Sequence, residues 1–316
     1  MNRVNKAGRV CPVRYRYGAS ALAQARERQA DILYVIGGLY GNLQALDEVE
    51  AMARTEAGPV TLCFNGDFNW FNVDDKGFRS INERVLRHDA ILGNVEAELL
   101  SESTEAGCGC AYPDSVDATL VERSNRIHAR LKQTSKSHPE LRAALARLSM
   151  FDCYRIGALR VGVVHGDAES LAGWRFDVTR LDNAQDNDWL AGAFAAAKVD
   201  VFASTHTCLP AMRRFAFDGD KVLANNGAAG MPNFSGSEFG VLTRIALHPS
   251  PQRPLYGTCL RGVFIDALPI HCDSQAWQDV FLANWPEGSP AWQSYFQRLS
   301  NGPDFTLEHA ASLRSN

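Results

Sequence analysis

The chain alternates short apolar runs with amphipathic stretches, and most of the runs stop at a small polar block. Ile32–Ile36 and Pro59–Phe64 read as buried strands, and Asp89–Leu92 as a third. Between them, Leu43, Leu46, Val49 and Met52 fall at helical spacing within 43–57, and Phe78, Ile81 and Val85 share one face of 75–87. Strands that alternate with helices in this way build a parallel sheet with helices laid over it. Further on, the pattern predicts helices over 116–132, 139–149 and 189–197, a short hairpin or two strands at 153–156 and 159–164 around Gly157, and a buried strand at 199–203. The second half turns to β: 213–217, 221–224, 241–247 and 258–265 alternate as strands. A helical tail rich in Trp277, Trp285, Trp292 and Phe296 follows from Gln275. Two packed sheets with helices outside, in one domain, accommodate this order.

The polar blocks are Gly66-Asp67, Gly93-Asn94, His165-Gly166 and the run Thr205-His206-Thr207-Cys208-Leu209-Pro210. Their place after apolar runs puts Asp67, Asn94, His165 and His206 at one end of a sheet, where open α/β folds build sites. One carboxylate, one amide and two imidazoles form a donor set suited to a divalent transition metal. Taken singly, each residue has a plainer reading: Asp67 as a cap, Asn94 as a turn residue, each histidine as a satisfied core group.

Bulk properties narrow the partners. With 316 residues, 46% hydrophobic and 22% charged, the chain has the profile of a soluble globular protein. A net charge of −4 argues against nucleic acid, which leaves a basic footprint. No apolar stretch approaches the roughly 20 residues of a membrane span. The opening MNRVNKAGRVCPVRYRYG is basic without an apolar centre, unlike a secretory signal, and reads as a leader to Arg9 followed by an extended piece carrying Tyr15 and Tyr17. The eight cysteines are therefore expected as reduced thiols in the cytoplasm, with Cys63 and Cys153 packed as small hydrophobes. Cys108-Gly109-Cys110 is too tightly spaced for a zinc knuckle and reads as two free thiols, in a loop that could fold over the site with Tyr112.

At these blocks the chain resembles the calcineurin-like metallophosphoesterases, whose pattern runs D-x-H-G-N, G-D, G-N-H-[DE], H-G, G-H-T-H-x-P and N-P-G-S. The matching stretches are Gly38-Leu39-Tyr40-Gly41-Asn42, Gly66-Asp67, Gly93-Asn94-Val95-Glu96, His165-Gly166, Thr205 to Pro210, and Asn226-Gly227-Ala228. The resemblance spans 32–232 and implies a four-layer α/β/β/α sandwich of two packed mixed sheets. It divides the chain into an N-terminal extension (1–30), a metallophosphoesterase-like domain (31–270, with an insertion over 101–135 whose loop is 101–114) and a C-terminal helical tail (271–316). It implies two metal pockets. The residues of one, Asp67, Asn94, His165 and His206, are all present. Those of the other fall on Gly38, Tyr40, Asp67 and Cys208, so three of its four ligands are lost or changed. Losses confined to one pocket imply a single surviving ion, Mn, Fe or Zn.

The expected activity is metal-dependent hydrolysis of a small phosphorylated substrate or nucleotide. Asp67, Asn94, His165, His206 and Tyr40 form the catalytic set, Cys208 is an additional thiolate ligand, and Asn42 and Asn226 are substrate contacts at the cavity mouth. Two-metal hydrolases clamp phosphate between ions about 3.5–4 Å apart. Loss of one ion costs on the order of 100- to 1000-fold in rate unless compensated. Val95 cannot donate a proton, and Glu96 is expected to face the following helix. The competing expectation is a weak or inactive protein on the same fold that binds a nucleotide, a phosphorylated ligand or a protein partner. A weaker third is a redox or zinc site built from Cys208, Cys108 and Cys110.

Overall fold

The computed structural model describes residues 7–311. In chain order its elements are α1 (Ala19–Gln24), β1 (Glu27–Gln29), β2 (Ile32–Ile36), α2 (Leu43–Arg54), β3 (Val60–Phe64), α3 (Asp75–Val85), β4 (Asp89–Ala90), α4 (Asn94–Leu100), α5 (Ala118–Lys136) and α6 (Pro139–Leu145). There follow β5 (Phe151–Ile156), β6 (Leu159–Val164), α7 (Val178–Leu181), α8 (Asn187–Ala197), β7 (Val201–Ser204), β8 (Pro210–Phe217) and β9 (Gly219–Asn226). The chain closes with β10 (Gly240–Ala246), β11 (Tyr256–Leu260), β12 (Val263–Ile270), α9 (Ser274–Asn284), α10 (Pro290–Asn301) and α11 (Leu307–Ala310).

The strands form two six-stranded mixed sheets, ordered β11-β12-β10-β2-β3-β4 and β1-β5-β6-β7-β9-β8. The two-residue period of a strand assigns each side chain to a layer. On β2, Leu33 and Val35 enter the core between the sheets beside Val161, Val163 and Val201, while Ile32, Tyr34 and Ile36 face the outer core under α2. On the far side of the second sheet, Phe202 and Leu223 pack against Leu190 and Phe194 of α8. Helices thus cover both outer faces and the architecture is a four-layer α/β/β/α sandwich. Among the described residues, no helix is long and apolar enough to cross a membrane.

Within each sheet a parallel set is aligned: β2, β3 and β4 in one, β6, β7 and β9 in the other. Parallel pairing brings carboxyl ends together, so the polar blocks after β2, β3, β4, β6 and β7 meet at one rim. Asn65 joins the two sheets there. Its Nδ2 donates to the Val164 carbonyl, and its own carbonyl accepts from His165.

Several expectations change. The span 258–265 is a hairpin of β11 and β12, because Arg261 and Gly262 both adopt left-handed φ (49° and 80°), the geometry of a tight reversal. The strand expected over 89–92 shortens to β4, with Ile91 continuing only as a bridge to Ser149. The piece expected to be extended around Tyr15 contains a 3-10 turn over Val13–Tyr15. Residues 1–6 of the expected leader lie outside the described region. From Gly8 the chain is fastened, the Gly8 amide donating to Ala106 O and its carbonyl accepting from Tyr112. Residues 19–29 also add β1 beside β5, and bury Leu22 beneath α8.

Candidate metal site

Asp67 stands just beyond β3, with φ of 55°, a conformation uncommon outside glycine. Its amide donates to Glu96 Oε2 (2.8 Å), and its Oδ1 accepts from the Val95 amide (3.1 Å). Glu96 therefore does not face the following helix: its carboxylate turns back to hold the Asp67 loop and also accepts from the Asn69 amide. The two loops press so closely that a Cβ at Gly93 would strike Asp67. Buried this way, and beside the Asp67 charge, Glu96 is pushed up to about 7.

The four expected ligands converge. His165 Nε2 lies 3.1 Å from Asn94 Oδ1, 3.3 Å from Asp67 Oδ2 and 3.2 Å from His206 Nδ1. Hydrogen-bond partners fix which atoms point inward. His165 Nδ1–H donates to the Asn65 carbonyl (2.8 Å), leaving Nε2 with its lone pair. His206 Nε2–H donates to the Cys110 carbonyl (3.2 Å), leaving Nδ1 free. Asn94 Nδ2 donates to the Cys108 carbonyl (3.0 Å), so its oxygen faces the centre. An amide oxygen, a carboxylate oxygen and two imidazole lone pairs thus face one another in a buried space, where unneutralised acceptors are costly. A proton on His165 serves one contact at a time. A divalent cation serves all four, and the arrangement, each imidazole oriented by a carbonyl behind it, is that of metal-ligating histidines. The residues present fit a metal ion, and Asp67, His165 and His206 place their ligand atoms within 4.8 Å of one another.

Electrostatics agree. Burial alone raises the Asp67 carboxyl, but the facing imidazoles, His165 foremost, hold it below its ordinary value. Burial opposes a charge on His165, yet Asp67 pulls it above the usual histidine range. Burial, reinforced by His165, drives His206 down to about 3, so it remains a neutral donor at neutral pH.

The other expected pocket is filled. The Tyr40 ring folds back over Gly38, where a Cβ would meet Tyr40 Cζ and Oη at 2.9 Å. Tyr40 and Cys208 both adopt left-handed φ (56° and 63°), and Tyr40 Oη pairs with Cys208 Sγ at 3.1 Å. Cys208 stands apart from the ligand group. Burial raises its thiol, which disfavours the thiolate that a soft ligand must supply.

A cavity of about 40 Å³ lies over the centre. Asp67, Asn94 and His206 form its floor, and Tyr40 and Cys208 one flank. Trp70, Tyr112, Trp174 and Tyr295 give it aromatic walls. Asn42 and Asn226 do not reach it. Asn42 caps α2 by accepting from the Ala45 amide and donates to Gly230 O, while Asn226 Nδ2 bridges the carbonyls of Gly37 and Val241. Both Nδ2 groups are committed to backbone carbonyls. Cys108 and Cys110 are joined as a disulfide rather than free, which also leaves them unable to bind zinc with Cys208. Of the aromatic walls only Tyr112 had been expected over the site; Trp70, Trp174 and Tyr295 escaped sequence reasoning. Trp70 follows Asp67 closely and could have been flagged, but Trp174 and Tyr295 come from distant segments with no local signal.

No family model matches the chain, and no curated protein does. Among solved structures, it is similar to a metallophosphoesterase from Sphaerobacter thermophilus, at 16% identity and a TM-score of 0.56 over 87% of this chain and 100% of that one. A hypothetical protein from Pyrococcus horikoshii is similar at 14% identity and a TM-score of 0.54, over 87% and 99% of the two chains. The fold is that of the calcineurin-like metallophosphoesterases.

Proposed function

We propose that this protein hydrolyses phosphoester bonds with one divalent transition ion held by Asp67, Asn94, His165 and His206. The observation that carries the reading is the four-way convergence of acceptors on His165 Nε2, with every competing hydrogen already donated outward. When bound, such an ion supplies Lewis acidity toward a phosphoryl oxygen and makes water a better nucleophile. Asp67 supplies the single negative charge, so the loaded site stays net positive and attracts a phosphate group. With the ion bound, His165 would offer Nε2 unprotonated, and His206 stays neutral through burial. Tyr40, whose hydroxyl borders the cavity, donates to an equatorial phosphoryl oxygen and exchanges its Cys208 contact for that bond. The aromatic walls exclude water and strengthen these interactions. The cavity has room for only a few water-sized groups, so the organic part of a small phosphorylated substrate lies across its mouth.

The test is release of nitrophenol from a bis(nitrophenyl) phosphodiester and from nitrophenyl phosphate, with Mn, Fe or Zn added to chelator-treated protein. Metal-dependent release that vanishes in Asp67→Ala and His165→Ala supports the reading; release unchanged in both variants sinks it. The closed second pocket favours one alternative, a phosphoester-binding protein without turnover. Metal-loaded protein inert toward both esters, yet thermally stabilised by phosphate or a nucleotide, would select that alternative.

A further inference from the structure

The loop Ala106–Tyr112 sits behind two of the candidate ligands. Asn94 Nδ2 donates to Cys108 O at 3.0 Å, and His206 Nε2 donates to Cys110 O at 3.2 Å. Trp174 Nε1 also donates to Cys110 O, at 2.9 Å. Each bond decides which atom its residue offers inward: Oδ1 rather than Nδ2 for Asn94, Nδ1 rather than Nε2 for His206. Asn94 Nδ2 also lies 3.5 Å from Cys110 Sγ, so both contacts of that nitrogen run to this loop.

The carbonyls reach inward because of the loop's backbone. Gly107, Gly109 and Ala111 adopt left-handed φ of 61°, 69° and 50°, alternating with the cysteines. At Gly109 a Cβ would also run into the Tyr15 hydroxyl and the Glu98 side chain, so the loop is pressed onto its support. The Cys108–Cys110 disulfide closes this turn across the one residue between the two carbonyls in use. Cys108 is fully buried, and Cys110 borders the cavity.

We propose that the Cys108–Cys110 disulfide positions Asn94 and His206 for the metal ion, so that metal affinity depends on the thiol state of this loop. The inference rests on the metal site proposed above. In the reductive step a dithiol or phosphine gives up two electrons and is itself oxidised. The S–S bond breaks, and two protons from solvent or the reductant complete thiols on Cys108 and Cys110. Freed of its cross-link, the loop loses the arrangement that presents both carbonyls, and the two ligands lose their fixed orientation. Outer hydrogen-bond partners of metal ligands are typically worth 10- to 100-fold in metal affinity. Linkage is reciprocal: bound metal must make the disulfide harder to reduce by the same factor, and a tenfold change corresponds to about 30 mV for a two-electron couple.

The experiment titrates Mn²⁺ into wild-type protein in three states: as isolated under air, after reduction with a phosphine, and after reoxidation. Alkylation and mass measurement count free thiols in each. The expected result is six free thiols of eight before reduction, an Mn²⁺ dissociation constant raised at least tenfold on reduction, and recovery on reoxidation. Cys108→Ser/Cys110→Ser should bind as weakly as reduced protein and ignore reductant, whereas Cys259→Ser, at an exposed free cysteine, should behave as wild type. The wild-type comparison requires no variant to fold. Eight thiols before reduction, or equal Mn²⁺ affinity in oxidised and reduced protein, would overturn the coupling while leaving the metal site intact. Oxidised protein that binds neither Mn²⁺ nor Zn²⁺ would overturn the metal site itself, and the coupling with it.

Discussion

The two halves of the site share a sheet rim and yet are held by different forces. On one side, Asp67, Asn94, His165 and His206 are aimed by hydrogen bonds, mostly to backbone carbonyls and amides that leave little freedom. On the other, Tyr40 and Cys208 fill the space over Gly38 by packing and by one contact to each other. Gly38 and Tyr40 are coupled: without a side chain on Gly38, the Tyr40 ring has somewhere to go.

The contrast can be broken most sharply at Asp67, the carboxylate of the candidate ligand group. Asp67→Ala should abolish metal binding in elemental analysis and lower the proposed phosphoester hydrolysis by about 1000-fold or more; retained metal would show that the imidazoles and Asn94 suffice. Placing ligand side chains in the half that Tyr40 and Cys208 fill is the next largest effect. Gly38→Asp/Tyr40→His/Cys208→His should raise bound metal from one ion to two and increase the rate on the order of 100- to 1000-fold. Gly38→Asp alone should fold poorly, since its side chain meets the Tyr40 ring.

A third effect lies just behind Asn94. Burial holds His128 down to about 4, with its Nε2 donating to the Val95 carbonyl. The unfolded chain takes up this proton near pH 6.5 and the folded one does not. The stability that neutral His128 preserves is therefore complete above pH 6.5 and is lost as pH falls toward 4, by up to about 3 kcal/mol. Urea midpoints measured across that range should fall more steeply in wild type than in His128→Gln; parallel curves would show that His128 does not contribute. The smallest effect belongs to Tyr40→Phe, which removes one hydroxyl and should cost about tenfold in kcat/KM, the worth of a hydrogen bond to a charged group. An unchanged rate would leave Tyr40 as packing alone.

Much of the fold could be read in advance because strand and helix periods are local. The alternation along β2, the spacing of Leu46, Val49 and Met52, and the turn at Gly157 each announce themselves within a few residues. The hairpin at Arg261 and Gly262 was missed because its flanking strands continue one alternating pattern, and only the left-handed turn divides them. At the site, Asp67, Asn94, His165 and His206 were legible from their blocks. For Asn42 and Asn226 nothing local shows that their Nδ2 groups satisfy carbonyls on other segments, away from the cavity lining.

Taken alone, the sequence determined the layer of each side chain and which donor atoms follow each strand, because both depend on short-range periodicity and residue chemistry. Tertiary structure decided what those donors do. The carbonyls that select a tautomer, the disulfide behind them, and the Tyr295 and Trp174 walls come from segments far apart in the chain. Only the packing of two sheets and a helical tail brings them within hydrogen-bond or van der Waals reach.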